Sequence, residues 1–140
     1  MAAHASNLER FPHFILEDRL EVLISSRLVV WAGRLYCQDG IEICIDKNQD
    51  VRAPRGRPEV RTREYSYHVL SRSAEGRIVP VLRYDNAHPH LELGHPDEHH
   101  KHTWGSAGEV TITHVGVANW PTLGDVIEEV ERGWIDSPRT

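Results

Sequence analysis

The sequence predicts one α+β domain, an antiparallel meander of four to five strands packed by a C-terminal helix, with a short N-terminal helix as a second candidate cover. Three observations point there. Runs rich in β-branched and aromatic residues alternate with a period of two through the middle of the chain, an Asp-Gly pair separates the first two runs, and one strong amphipathic stripe closes the sequence. A chain of 140 residues is one ordinary domain that can bury a core without metal or disulfide staples.

Residues 1–13 show no periodicity and read as a loose lead-in that Phe11 and Phe14 could pin to a domain spanning 14–140. Leu16, Leu20, Leu23 and Ile24 recur at helical spacing, with Glu17, Asp18, Arg19 and Glu21 elsewhere, and predict a short amphipathic helix. From Ser26 to Tyr36 the run RLVVWAGRLY predicts a first strand, Gln38-Asp39-Gly40 a tight turn, and Ile41 to Asp46 a second strand. Asp-Gly suits the hairpin because both central residues of the favoured turn need positive φ. In that reading the only two cysteines, Cys37 and Cys44, lie diagonally on one face, spaced for neither a zinc knuckle nor a CxxC pair.

The stretch from Val51 to Arg63, with Pro54, Gly56 and Pro58, predicts a long exposed connection. It carries Arg52, Arg55, Arg57, Arg61 and Arg63, whose guanidinium forks match phosphate geometry and make them the candidate nucleic-acid-binding residues. Tyr65 to Leu70 predicts a third strand and Ile78 to Asp85 a fourth, with an edge or a bulge at Pro80. Arg83 and Asp85 share a face. After a histidine-rich loop, VTITHVGV predicts a fifth strand. The final helix runs from Thr122 to Trp134, opened by a capping-box-like Thr122 and Asp125, with Leu123, Val126, Ile127, Val130 and Trp134 as its apolar stripe.

A formal charge of −5, from 16 Lys and Arg against 21 Asp and Glu, excludes a polyanion binder by net charge and leaves that role to local patches. No segment approaches the roughly 18 apolar residues of a membrane span, so the reading is a soluble, cytoplasmic protein with no membrane partner. A homo-oligomer stays open.

Six of the ten histidines, His88, His90, His95, His99, His100 and His102, crowd one segment beside Lys101, Arg83 and Asp85. Two chemistries fit such a crowd. Metal-free cleavage of RNA needs a base for the 2′-hydroxyl, a cation for the charge on the phosphorane, and an acid for the 5′-oxygen. Two imidazoles with Lys101 or Arg83 supply these, Tyr67 can orient or protonate, and Asp85 can fix a histidine tautomer. The candidate catalytic residues are therefore Tyr67, Arg83, Asp85, His88, His90, His100, Lys101 and His102, with RNA as substrate and no cofactor. The alternative is zinc or another divalent metal on the pairs His88/His90 and His100/His102, giving a zinc-dependent hydrolase, although Pro89 and Pro96 leave those pairs without a fixed facing. A third reading is a non-catalytic module that blocks a target through the same surface.

Tyr65-x-Tyr67-His68, Arg83-Tyr84-Asp85-Asn86-Ala87, His88 and His90, and His100-Lys101-His102 together resemble the signature of the TumE-type family of toxin-antitoxin proteins, as does the C-terminal T-L-x-x-V-I-E-E-V. The likeness covers Tyr36 to Val130. The family's P-H-H stands here as His88-Pro89-His90, and the arginine stretch is longer than the family needs. The resemblance implies a type II toxin partnered by a cognate antitoxin, typically a small DNA-binding protein.

Overall fold

The computed structural model describes residues 7–86, 99–105, 107–116 and 118–136. The fold is α+β, as expected, but the antiparallel sheet has eight strands rather than four or five. They are β1 (Ile15–Asp18), β2 (Glu21–Ile24), β3 (Leu28–Cys37), β4 (Ile41–Arg52), β5 (Glu59–Arg72), β6 (Ile78–Asp85), β7 (His100–Trp104) and β8 (Val110–His114). A helical turn, α1, occupies residues 7–10, and α2 spans Leu123–Asp136. The order is β1-β3-β4-β5-β6-β7-β8, with β2 beside β1 on the same edge of β3.

Parity decides what is buried. Leu35, Ile43, Ile45, Tyr67, Val69, Leu82 and Tyr84 point to one face and form the core with Val126, Ile127 and Val130 of α2. Each buried aliphatic side chain of this kind contributes about 1.5–3 kcal/mol. The cap of α2 is the reciprocal one: the Thr122 N–H donates to Asp125 Oδ2 at 2.9 Å and the Asp125 N–H to Thr122 Oγ1 at 3.2 Å. Trp134 closes the far end, its ring 5.4 Å from Phe14 and its Nε1–H donating to Asp39 Oδ2 at 2.6 Å.

Four readings of the sequence need correction. The predicted helix around Leu16 to Ile24 is the strand pair β1 and β2. Ile15 and Leu20 are buried there while Leu16, Leu23 and Ile24 are exposed, so the apolar residues never shared a face. The link between the two strands crosses β3 at Gly33, where a Cβ would stand 2.3 Å from the Arg19 carbonyl oxygen. Second, the supposed long connection from Val51 to Arg63 is mostly sheet: Pro54, Gly56 and Pro58 sit at the tip of the β4-β5 hairpin, and Arg61 and Arg63 lie within β5. Third, His100 to His102 are in strand β7, not in a loop. Fourth, Cys37 is in the core while Cys44 faces outward opposite Arg34, so the free thiols lie on opposite faces.

Other expectations hold. Asp39 and Gly40 have φ of 56° and 75°, as the tight turn requires. The register shifts between Val69 and Leu70 opposite Pro80, and β7 pairs β6 only from Leu82 to Asp85, so the proline has both its bulge and its free edge. Phe11 and Phe14 are buried and tie residues 7–14 to the body. Among the described residues no helix is long and apolar enough to cross a membrane.

Val126 is fully buried on the inner face of α2. Val126→Asp leaves an unpaired charge there and costs about 3–5 kcal/mol. The expected outcome is loss of the soluble species in gel filtration and of the cooperative melt in circular dichroism; a folded Val126→Asp protein would refute this packing.

Candidate active site

The face of the sheet opposite α2 carries polar side chains in two rungs. One runs Arg34, Cys44, His68, Arg83, His102, Ile112 across β3 to β8; the next runs Ala32, Asp46, Ser66, Asp85, His100, His114. Three sequence blocks therefore deliver alternate residues to one place. His68 comes from Y-x-Y-H, Arg83 and Asp85 from R-Y-D, and His100 and His102 from H-K-H.

Arg83 lies between two imidazoles. His68 and His102 are its direct neighbours on β5 and β7, so strand spacing puts their backbones about 10 Å apart. Asp85 Oδ2 is 2.7 Å from Arg83 Nε, a charge contact in which the Nε–H is not aimed at the oxygen, and 3.7 Å from His102 Nδ1. Trp104 lies one pleat along β7, its ring 5.7 Å from His68 and 6.2 Å from His102. Burial first, and the Arg83 charge second, hold the His68 imidazole below its ordinary 6.5, so it is neutral at pH 7. Its buried Nε2 has no hydrogen-bond partner among the described residues. His100 is 0 % exposed and its ring stands 6.0 Å from that of His114. A cleft of about 360 Å³ opens onto Arg83, Asp85, Ser66 and Asn86.

Lys101 and Tyr67 are elsewhere. The pleat turns both toward α2, on the far side of the sheet from His100 and His102. Lys101 Nζ meets Glu129 Oε2 at 2.5 Å, the Tyr84 hydroxyl donates to Glu129 Oε1 at 2.6 Å, and the lysine lies 5.2 Å over the Tyr84 ring. Burial pushes Lys101 down, but Glu129 and Tyr84 outweigh it and its net shift is upward. Tyr67 is fully enclosed, and burial drives its hydroxyl far above the ordinary range. The single pocket expected for all the candidate residues is thus divided between two faces. His88 and His90 lie outside the described residues, so the zinc pairing that used them does too; among the described residues no three His, Cys, Asp or Glu side chains group as metal ligands.

The sequence reading left His68, Trp104 and His114 out of the candidate site, although His68 stood in the quoted Y-x-Y-H block. For His68 the signal was present, since the period of two that buries Tyr65 and Tyr67 turns the next residue outward beside Arg83. Of the candidate nucleic-acid residues, Arg52 ends β4, Arg55 and Arg57 flank the hairpin tip, and Arg61 and Arg63 sit on β5; all five are exposed. Arg63 Nη1 reaches Asp50 Oδ1 at 3.8 Å.

A family model described as Toxin TumE matches residues 5–134. The chain matches no curated protein and no solved structure.

The Lys101–Glu129 contact bridges sheet and helix. In a double-mutant cycle, Lys101→Met and Glu129→Gln are expected to couple by about 1 kcal/mol in denaturant melts. A coupling of zero would detach Lys101 from the helix.

Proposed function

The chain belongs to the Toxin TumE family and is a toxin of a toxin-antitoxin system with a cognate antitoxin as its partner, and from that premise we propose that it is a metal-independent ribonuclease acting through His68, Arg83 and His102. The observation that carries this reading is the rung in which a guanidinium separates two imidazoles. Cleavage by the 2′-hydroxyl forms a bond from the 2′-oxygen to phosphorus as the bond to the 5′-oxygen breaks. One proton leaves the 2′-oxygen, another reaches the departing 5′-oxygen, and the products are a 2′,3′-cyclic phosphate and a 5′-hydroxyl. His68, neutral and with Nε2 unengaged among the described residues, suits the base. Arg83 faces the equatorial oxygens, where charge builds.

His102 is the acid. Asp85, beside its Nδ1, orients the ring with Nε2 toward the substrate. His100 is a positioning residue, packed on the rung of Asp85 and closed to solvent. Lys101 and Tyr67 hold α2 and the core rather than the phosphate, and the cation of the reaction is Arg83. Two observations favour the second reading, a non-catalytic module acting by contact: His102 is only 8 % exposed and the His68 Nε2 is itself enclosed, so a substrate has a narrow approach.

Purified protein and labelled RNA, with and without chelator, separate the readings. The expected outcome is cleavage that survives chelation and yields cyclic phosphate ends. His68→Ala and His102→Ala should each lose about 100-fold or more, and the double variant little beyond that. Because burial and the Arg83 charge lower the His68 pKa, the acid limb of the rate profile is expected to lie below that of an ordinary imidazole. Cleavage abolished by the chelator supports the zinc hydrolase instead, and no cleavage at all supports the binding module.

A further inference from the structure

β5 runs on past its neighbour. Among the described residues β6 pairs it only from Ser66 to Arg72, which leaves residues 59–64 without a β6 partner. Asn86 stands where β6 ends, its Oδ1 accepting from the Tyr65 N–H at 2.9 Å and its Nδ2 donating to the Arg63 carbonyl at 3.1 Å. Beside it lies a cleft of about 490 Å³ lined by Arg61, Thr62, Arg63, Asn86, His99 and Trp120, among others.

Three rings are stacked at this cleft. Trp120 lies 5.3 Å from His99 with planes 11° apart and 5.0 Å from Tyr65 at 22°; Tyr65 and His99 are 5.7 Å apart at 19°. The three centroids lie 5.0 to 5.7 Å from one another, so the rings form a triangular cluster, and the Tyr65 hydroxyl meets His99 Nδ1 at 3.0 Å and fixes that pair. Tyr65 is the buried member of the cluster, while Trp120 and His99 are half-exposed at the cleft and Arg61 and Arg63 are exposed beside them.

From this arrangement we infer that the ring cluster presented at the cleft by Trp120 and His99 is a nucleobase-stacking subsite for single-stranded RNA, with Arg61 and Arg63 on the adjoining phosphates. A charged ligand alone would need no pre-stacked aromatic platform, and an apolar one would need no guanidinium pair. A base with its phosphate needs both. Asn86 lines both this cleft and the one at Arg83 and Asp85, which sets the two clefts side by side and brings a strand stacked on Trp120 next to Arg83, the cation of the rung. The inference deepens the ribonuclease reading and rests on it for the identity of the substrate. It also supplies what the rung lacks, a reason to prefer unpaired RNA, because a base inside a duplex has no free face.

The test is fluorescence anisotropy with a labelled single-stranded RNA of about six nucleotides and an abasic ribose-phosphate strand of equal length, in the full-length His102→Ala protein. Trp120 packs against the core, so Trp120→Leu, which keeps the apolar bulk, is compared with Trp120→Phe, which keeps an aromatic face. The expected result is a loss of about tenfold for Trp120→Leu on the base-bearing strand only, restored by Trp120→Phe. Arg61→Gln with Arg63→Gln should weaken both strands and flatten the salt slope by about 1.4. Equal affinity for the two strands, or a folded Trp120→Leu protein that binds as before, overturns the subsite. So does a Trp120→Leu defect seen with purified antitoxin and absent with RNA. Base-dependent binding without cleavage by the native protein upholds the subsite and refutes the ribonuclease.

Discussion

Successive side chains of a strand point to opposite faces, and in β5, β6 and β7 this rule divides every motif in two. Tyr65 and Tyr67, Tyr84, and Lys101 go inward to the core and α2. His68, Arg83 with Asp85, and His100 with His102 go outward. A one-residue slip of β7 would exchange Lys101 for the two histidines, placing imidazoles under the helix and the lysine on the open face. Register therefore has to be held, and the inner network holds it: Lys101 and Tyr84 can both reach Glu129 only in the observed pairing. The residues that keep the register are interleaved with those that use it.

The outer face is costly to build. It encloses Asp85, His100 and His102, as well as Glu42, which is held below the usual carboxylate range by a hydrogen bond from Arg72, against the upward push of burial and with Arg34 assisting. Arg72 Nε stands 2.7 Å and Arg34 Nη1 3.1 Å from the Glu42 oxygens. That contact clamps β3, β4 and β5 together on the outer face, where Glu42 has its place two residues along β4 from Cys44. Cross-strand pairs of opposite charge do there what apolar packing does beneath α2.

What was legible in the sequence was local. Asp39-Gly40 dictates its turn through backbone conformation alone, Thr122 and Asp125 announce their cap, and a helix of fourteen residues repeats its stripe often enough to be read. The strands β1 and β2 have four residues each, two per face, too few to separate a period of two from one of 3.6. The hairpin arms around Arg52 and Arg61 were hidden because both of their faces are polar and the breakers lie only at the tip. β7 was masked by its first three residues, since H-K-H has none of the β-branched or aromatic residues that advertise a strand and only Thr103 and Trp104 follow it. The site suffered from the same omission. With β7 taken as a loop, nothing separated Lys101 from His100 and His102, and nothing set His68 in line with Arg83.

The net charge of −5 also conceals how the charge is arranged. Helix α2 carries Asp125, Glu128, Glu129, Glu131 and Asp136 against the single cation Arg132, while the β4-β5 hairpin end displays five exposed arginines. A polyanion is repelled from the helix side and drawn to the hairpin end, and within a Debye length of about 8 Å these local fields outweigh the total. On the proposed route the way inward passes Arg61 and Arg63, then Trp120 and His99, then Asn86 and Arg83, which line two clefts that share Asn86. Under the ribonuclease proposal, an antitoxin that silences the protein interrupts this approach, and the feature to compete for is the basic edge of β5, whose residues 59–64 have no β6 partner among the described residues. Covering that edge would close the route to the rung without touching His68 or His102.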